Sequence, residues 1–147
     1  RWDGWTEAGG FQTPEMNSFN HYSLGSVGEW LYRYVAGIEP LEPAFRRIRI
    51  RPMVGGKLEW TRAQFESHYG RIAIEWHRGE GQTLRMNVKI PANTLAEVHI
   101  PGDRVKQLAK SDETESIVQL VSKEQGWSMC TVGAGDYEFL SHIRGYF

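Results

Sequence analysis

The sequence predicts a mainly β fold: an antiparallel β-sandwich of about eight strands, preceded by one long α-helix. Three observations lead to this prediction. Apolar residues recur every three or four positions between residues 16 and 37, and every second position after Pro43. Turn residues, mainly glycine and proline, separate the alternating segments at short intervals. The 147 residues, 40% hydrophobic and 24% charged, have the composition of a globular chain.

The chain opens with a loop that leads into the helix. Residues 1–15 show no periodicity and are rich in glycine. Asn17 or Ser18 is a suitable N-cap, and Gly37 is a natural residue to follow the last helical turn. The apolar residues between them fall on one broad face of a helix: Phe19, Tyr22, Val27, Trp30, Leu31 and Tyr34.

This apolar face is wider than the short preceding loop can cover. Gly25 and Gly28 would each cost the helix about 1 kcal/mol relative to alanine, and close approach of a neighbouring helix would explain that cost. Glu29 and Arg33 are spaced to form an ion pair across one turn. We therefore expect this helix to be the last of a helical domain that the chain does not contain. The start at Arg1, directly before an aromatic motif, agrees with a piece of a longer polypeptide.

After Pro43 the alternation predicts strands. The segments with an apolar residue at every second position are 45–51, 57–67, 71–78, 82–90, 96–100, 117–121, 127–132 and 136–140. Trp60 and Trp76 share the phase of the apolar residues in their segments, so both are predicted to face the core. The predicted domains are accordingly residues 1–43, the end of a helical domain, and residues 44–147, the sandwich.

Charge and hydropathy exclude two classes of partner. The formal net charge is −1, so no basic excess exists to neutralise nucleic-acid phosphates. The basic run 46–51 alternates with isoleucine and is predicted as a strand with one solvated face. No apolar run approaches the about 20 residues that a membrane-spanning helix needs. The sequence leaves the localisation unassigned.

No cofactor or metal is predicted. Four histidines lie on predicted strands or turns without ligand spacing: His68, His77, His99 and His142. The single cysteine, Cys130, lies in a predicted strand and is expected to be a small buried hydrophobic residue rather than a nucleophile.

Three blocks of the first half carry a family resemblance. They are Arg-Trp-Asp-Gly-Trp at 1–5, Met-Asn-Ser-Phe-Asn-His-Tyr at 16–22 and Gly-Ser-Val-Gly-Glu-Trp-Leu-Tyr at 25–32. With the later segments 36–38, 45–52 and 69–72, they resemble the bacterial α-L-rhamnosidases of glycoside hydrolase family 78. The resemblance is dense to about residue 76, and the C-terminal strands are generic.

The resemblance implies a fold and a mechanism. Such enzymes carry an (α/α)6 barrel followed by a C-terminal β-sandwich, so the helix of this chain would be the last barrel helix. They use an inverting mechanism with two carboxylic acids. By resemblance, the general base lies immediately before Arg1 and the general acid further upstream. No catalytic residue is therefore expected within this chain, and the chain alone is expected to be inactive.

The resemblance also implies a sugar pocket to which this chain contributes one wall. His21 matches a family residue that hydrogen-bonds the bound rhamnose. Trp2 and Trp5 could supply an apolar wall for the ring and its methyl group. The partners expected are a rhamnose-containing glycoside or polysaccharide and the N-terminal part of the same polypeptide.

Two other interpretations stay open. The sandwich could be a non-catalytic carbohydrate-binding module, which exposed aromatic residues on one sheet face would support. Alternatively, the chain could belong to another (α/α)6 glycosidase with a different sugar preference.

Overall fold

The computed structural model describes residues 5–11, 22–102, 104–110, 119–124 and 126–143. The chain divides into two compact units, Arg1–Trp30 and Leu31–Phe147. Within the described residues, no helix is long and apolar enough to cross a membrane.

The first unit contains a small hairpin and a short helix. Strands β1 (Trp5–Thr6) and β2 (Gly10–Phe11) pair antiparallel, with Trp5 opposite Phe11. The turn between them is closed by the Gly9 amide, which donates to the Thr6 hydroxyl at 3.1 Å. A 3-10 turn at Tyr22–Gly25 then leads into helix α1 at Ser26–Trp30.

The prediction of one long α-helix over residues 16–37 needs correction. Residues 16–21 lie outside the described residues, and the α-helical geometry spans only Ser26–Trp30. The second unit starts with a turn of π-helix at Leu31–Val35, in which the Ala36 amide donates to the Leu31 carbonyl at 2.8 Å. Gly37 then adopts a φ of 75°, which redirects the chain into a strand.

The second unit is built from two five-stranded sheets. The first sheet has the order β10-β11-β8-β4-β3 and consists of Gln119–Glu124, Trp127–Val132, Leu95–Pro101, Arg47–Ile50 and Ile38–Pro40. The second has the order β5-β6-β7-β12-β9 and consists of Trp60–Ser67, Gly70–Arg78, Thr83–Ile90, Gly135–His142 and Lys106–Lys110. All these strand pairs are antiparallel except β4 with β8, which is parallel.

The core lies between the two sheets. Each inner strand buries every second side chain, as period-2 geometry requires. The largest fully buried side chains include Trp76 and Phe139 from the second sheet and Ile48 and Ile50 from the first. The predicted antiparallel β-sandwich is therefore confirmed.

The two tryptophans predicted to face the core behave differently. Trp76 is fully buried, as predicted, whereas Trp60 is 59% exposed and its prediction was wrong. Trp60 is in phase with the solvent-facing Arg62, while the partly buried side chains of β5 are at odd positions, Ala63 and Phe65. The apolar phase changes between Trp60 and Ala63, and strict alternation assigns Trp60 to the outer face.

Each predicted segment overlaps a strand, with ends that shift by a few residues. The prediction missed β3 and β9. Ile38–Pro40 is three residues long and ends in proline, and Lys106–Lys110 has no β-branched or aromatic residue. Neither segment shows the alternating apolar pattern of a strand. Each becomes a strand because it pairs with a longer neighbour.

Candidate functional site

The predicted sugar-pocket residues divide into described and undescribed ones. Trp2 and His21 lie outside the described residues, so their predicted roles stay predictions. Trp5 lies in β1, and its side chain is 53% exposed. Phe11, its cross-strand partner, is exposed as well. Partners in register project from the same face of a hairpin. The hairpin thus offers an aromatic surface, to which sequence reasoning had assigned Trp5 but not Phe11.

The helical residues expose much of their apolar surface. Tyr22 is 96% exposed, and α1 has no buried residue. Five further large apolar side chains are also exposed: Val27, Trp30, Leu31, Tyr32 and Tyr34. A concentration of this kind within one short segment is typical of a surface that packs against something else.

A cleft of about 750 Å³ in the second unit continues this apolar character. Leu31, Tyr32 and Val35 line one side, and Leu58 and Trp60 lie on the other. The Tyr32 hydroxyl donates to the Gln64 carbonyl at 3.1 Å, and its ring packs edge-on against Phe65 at 6.2 Å between centroids. These two contacts fasten the π-helical turn to the outermost strand of the second sheet.

The outer face of the second sheet is polar and forms a broad depression of about 840 Å³. Ion pairs join neighbouring strands: Arg62 with Glu75 at 3.6 Å and Lys89 with Asp136 at 3.1 Å are in register, and Arg85 with Glu138 at 2.9 Å is diagonal. Such exposed pairs are each worth about 0–1 kcal/mol. Because these charges neutralise one another, the depression presents no excess of either sign.

One edge of this face carries an aromatic pair. The Trp60 ring stacks on His77 with 6.3 Å between centroids and 17° between planes. His77 Nε2 lies 2.8 Å from Glu75 Oε1, and this hydrogen bond, assisted by the Arg62 charge, lowers the pKa of Glu75. Trp60 and His77 thus offer a flat, solvent-accessible surface. The sequence did not predict this surface, because Trp60 was predicted to face the core.

Neither a reactive thiol nor a metal-binding cluster occurs among the described residues. Cys130 is buried, and its burial raises the pKa of the thiol to about 12, as suits the hydrophobic residue predicted. Among the described residues, no group of three or more histidine, cysteine or acidic side chains is placed to hold a metal ion.

Comparison with known proteins decides the family. The model of the bacterial α-L-rhamnosidase C-terminal domain matches residues 37–115, more than half of the chain. The model of the bacterial α-L-rhamnosidase 6 hairpin glycosidase domain matches residues 1–35. The chain belongs to the bacterial α-L-rhamnosidase family. The resemblance read from the motifs is thereby confirmed.

Individual relatives agree with this assignment. An α-L-rhamnosidase of Streptomyces avermitilis is 42% identical over 139 residues, which are 95% of this chain and 13% of that protein. One from Formosa agariphila is 34% identical over 142 residues, 95% of this chain and 15% of the relative. This member of the rhamnosidase family therefore spans about one seventh of the curated relatives that it matches.

Solved rhamnosidase structures share the fold. The Streptomyces avermitilis enzyme complexed with L-rhamnose superposes with a TM-score of 0.75 at 40% identity, over 95% of this chain and 13% of that one. The native enzyme of Aspergillus terreus gives a TM-score of 0.69 at 31% identity, over all of this chain and 14% of that one. The two rhamnosidase domain matches meet where the π-helical turn ends and the first sheet begins.

Proposed function

We propose that this chain is the C-terminal portion of an α-L-rhamnosidase that hydrolyses terminal α-L-rhamnosyl residues. The observation that carries the proposal is the pair of adjoining matches, to the six-hairpin glycosidase domain and then to the rhamnosidase C-terminal domain. Residues 1–43 would end the helical (α/α)6 domain, and residues 44–147 would form the structural β-domain.

The proposed chemistry is inverting hydrolysis by two carboxylic acids. One acid protonates the leaving oxygen, while the other activates a water molecule on the opposite face of the sugar. By resemblance, both carboxylates precede Arg1 in the complete enzyme. This chain would then supply part of the pocket wall through His21, Trp2 and Trp5, and the exposure of Trp5 supports that role.

The proposed partner of the helical segment is the N-terminal part of the same polypeptide. The exposed apolar side chains of its first part, Tyr22, Val27 and Trp30, need a cover, and barrel helices would provide one. Cβ atoms added at Gly25 and Gly28 would meet nothing within 4 Å, so the described chain leaves room there for a neighbouring helix. The rhamnose-containing glycoside or polysaccharide would bind on the barrel side.

Hydrolysis of a nitrophenyl α-L-rhamnoside tests the proposal. We expect no nitrophenol release from the 147-residue chain and steady turnover from a polypeptide extended upstream by a complete helical domain. Turnover by the short chain would contradict the placing of the carboxylates. Failure of the extended enzyme on rhamnosides, with turnover of another nitrophenyl glycoside, would favour the alternative of a different (α/α)6 glycosidase.

His21 has its own test in the extended enzyme. His21→Ala should lower kcat/KM. The activation free energy should rise by about 1–3 kcal/mol, the cost of leaving a buried polar partner without its hydrogen bond. His68→Ala, an exposed histidine in the turn between β5 and β6, is the matched control and should leave hydrolysis unchanged. An unchanged kcat/KM for His21→Ala would remove His21 from the pocket.

One observation favours the second candidate function, a carbohydrate-binding module. Trp60 is exposed on the outer sheet face and stacks on His77, as a sugar-binding platform would. Titration of the chain with neutral oligosaccharides should then quench tryptophan fluorescence, and Trp60→Ala should abolish the change. If the fluorescence of the unaltered chain does not change on titration, the β-domain has a structural role.

A further inference from the structure

The basic run noted in the sequence has no part in the proposed function. It lies on β4 and just beyond it, in the first sheet. Ile48 and Ile50 are fully buried, so the alternating Arg47, Arg49 and Arg51 project from the opposite face. Three arginines in a row on one face repel one another unless acidic partners neutralise them.

The acidic partners thin out along the strand. Arg47 has two of them, Glu97 at 2.7 Å and Glu42 at 3.8 Å. Arg49 has one, Glu39 at 3.2 Å, and this carboxylate is shared with Arg33 at 3.7 Å.

At the far end of the strand the positive charge is not neutralised by a carboxylate. The Arg51 guanidinium lies 5.0 Å from the centre of the Trp127 ring, a cation–π contact. Among the described residues, no carboxylate lies within ion-pair distance of Arg51. Positive charge therefore accumulates toward Arg51.

A cavity of about 310 Å³ opens at this end of the sheet. Arg33, Arg49 and Arg51 line it together with a single carboxylate, Glu39. We call it the arginine pocket. Arg49 donates through Nη1 to Glu39, while its Nε is buried without a hydrogen-bond partner. An anion in the pocket would pair with Arg51, whose guanidinium has no carboxylate partner among the described residues.

The backbone around the arginine pocket is held in place. The Arg51 amide donates to the Gly37 carbonyl at 2.8 Å, and the Met53 amide donates to the Tyr34 carbonyl at 3.0 Å. These bonds join the end of the π-helical turn to the end of β4. The arginines thus converge on a preformed cavity, which lowers the entropic cost of binding.

We propose that the arginine pocket binds a carboxylated sugar ring, a hexuronate. Guanidinium groups pair with planar carboxylates through two parallel hydrogen bonds. Tyr34 and Met53, both exposed, contribute aromatic and apolar surface to the remaining wall. Such a surface can pack against the C–H face of a sugar ring. An inorganic anion has no apolar face that could pack there. The volume lies at the lower end of the range for small-molecule sites, about 300–1,000 Å³.

Calorimetric titration of the 147-residue chain tests this proposal. The ligands are sodium D-galacturonate, uncharged D-galactose and inorganic phosphate. We expect saturable binding of galacturonate that weakens with added salt, no binding of galactose, and binding of phosphate weaker by about tenfold or more. Absence of galacturonate binding would overturn the proposal. Equal binding of phosphate would overturn the sugar assignment, because it would show a general anion site.

Two variants locate the binding. Arg51→Gln should abolish galacturonate binding, and Arg62→Gln, an exposed arginine on the other sheet, should leave it intact. If Arg51→Gln does not fold, Arg51→Lys retains the charge without the planar fork and should weaken binding by about tenfold. Retained binding in a folded Arg51 variant would overturn the assignment. Because the readout is binding rather than hydrolysis, this test is independent of the proposed rhamnosidase activity.

Discussion

At the scale of single residues, Gly37 has the most stringent backbone requirement. Its φ of 75° lies in the left-handed region, and a Cβ there would lie 2.1 Å from the carbonyl carbon of Arg51. The missing side chain therefore lets the helical end and the end of β4 approach closely. That approach forms one wall of the arginine pocket.

Gly37→Ala should destabilise the chain by more than about 2 kcal/mol, because backbone strain adds to a clash with main-chain atoms. Gly56→Ala is the matched control: its φ is 61°, but a Cβ there meets nothing within 4 Å. The control should cost only about 1 kcal/mol. Urea denaturation measures both, and equal losses would show that the close approach does not matter.

The buried thiol makes a second residue-scale prediction. Burial raises the pKa of Cys130 to about 12, from an ordinary value of 9.0. The folded thiol should resist a disulfide reagent at pH 8 and react fully in urea. Since the unfolded chain loses this proton near pH 9 while the folded chain keeps it, the Cys130 contribution should lower stability as pH rises from 9 toward 12. Rapid labelling of the native chain would contradict this burial.

At the scale of elements, the two tryptophans of β5 and β6 show how strand phase decides whether a side chain is buried. Both lie in alternating segments of adjacent strands, yet Trp76 fills the core and Trp60 faces solvent. The difference arises from the register: Trp60 pairs with His77 and projects from the outer face, whereas Trp76 pairs with Thr61 and projects into the core.

Trp76→Ala should cost about 3–5 kcal/mol, because it leaves a large cavity between the sheets. Trp60→Ala, the same change on the neighbouring strand, should cost less than about 1 kcal/mol. Thermal unfolding of the two variants gives the comparison. Similar losses would mean that Trp60 is covered in the folded chain.

At the scale of the whole molecule, the sandwich should be an autonomous folding unit. Among the described residues, the core cluster lies within Leu31–Phe147 and has members from both sheets. The large apolar side chains described in the first unit are instead exposed: Trp5, Phe11, Tyr22, Val27 and Trp30. The described residues therefore place the core of the β-domain within the second unit.

A chain shortened to residues 31–147 should retain cooperative thermal unfolding, with a midpoint within a few degrees of the 147-residue chain. Shortening to residues 52–147 is the control: it removes β3 and β4, whose Ile48 and Ile50 are fully buried, and should abolish cooperative unfolding. Loss of cooperativity in the longer version would show that the first unit contributes to the β-domain.

Much of this architecture could be read from local chemistry. Alternating isoleucines at 48, 50, 72 and 74 predict strands because a strand projects successive side chains to opposite faces. The Asn-Ser-Phe-Asn-His-Tyr block at 17–22 indicated the family, and the family matches confirmed it. Periodicity and motifs involve residues that are close together in the chain, so both can be recognised in the sequence alone.

Other features exist only after folding. The parallel pairing of β4 with β8, the exposure of Trp60 and the convergence of Arg33, Arg49 and Arg51 join residues that are remote in sequence or whose environment depends on a distant neighbour. The sequence alone determined most of the strands and the family, because local patterns encode them. Only the tertiary structure decided that Arg47 and Arg49 meet carboxylates while Arg51 meets an aromatic ring, because these pairings depend on distances between strands.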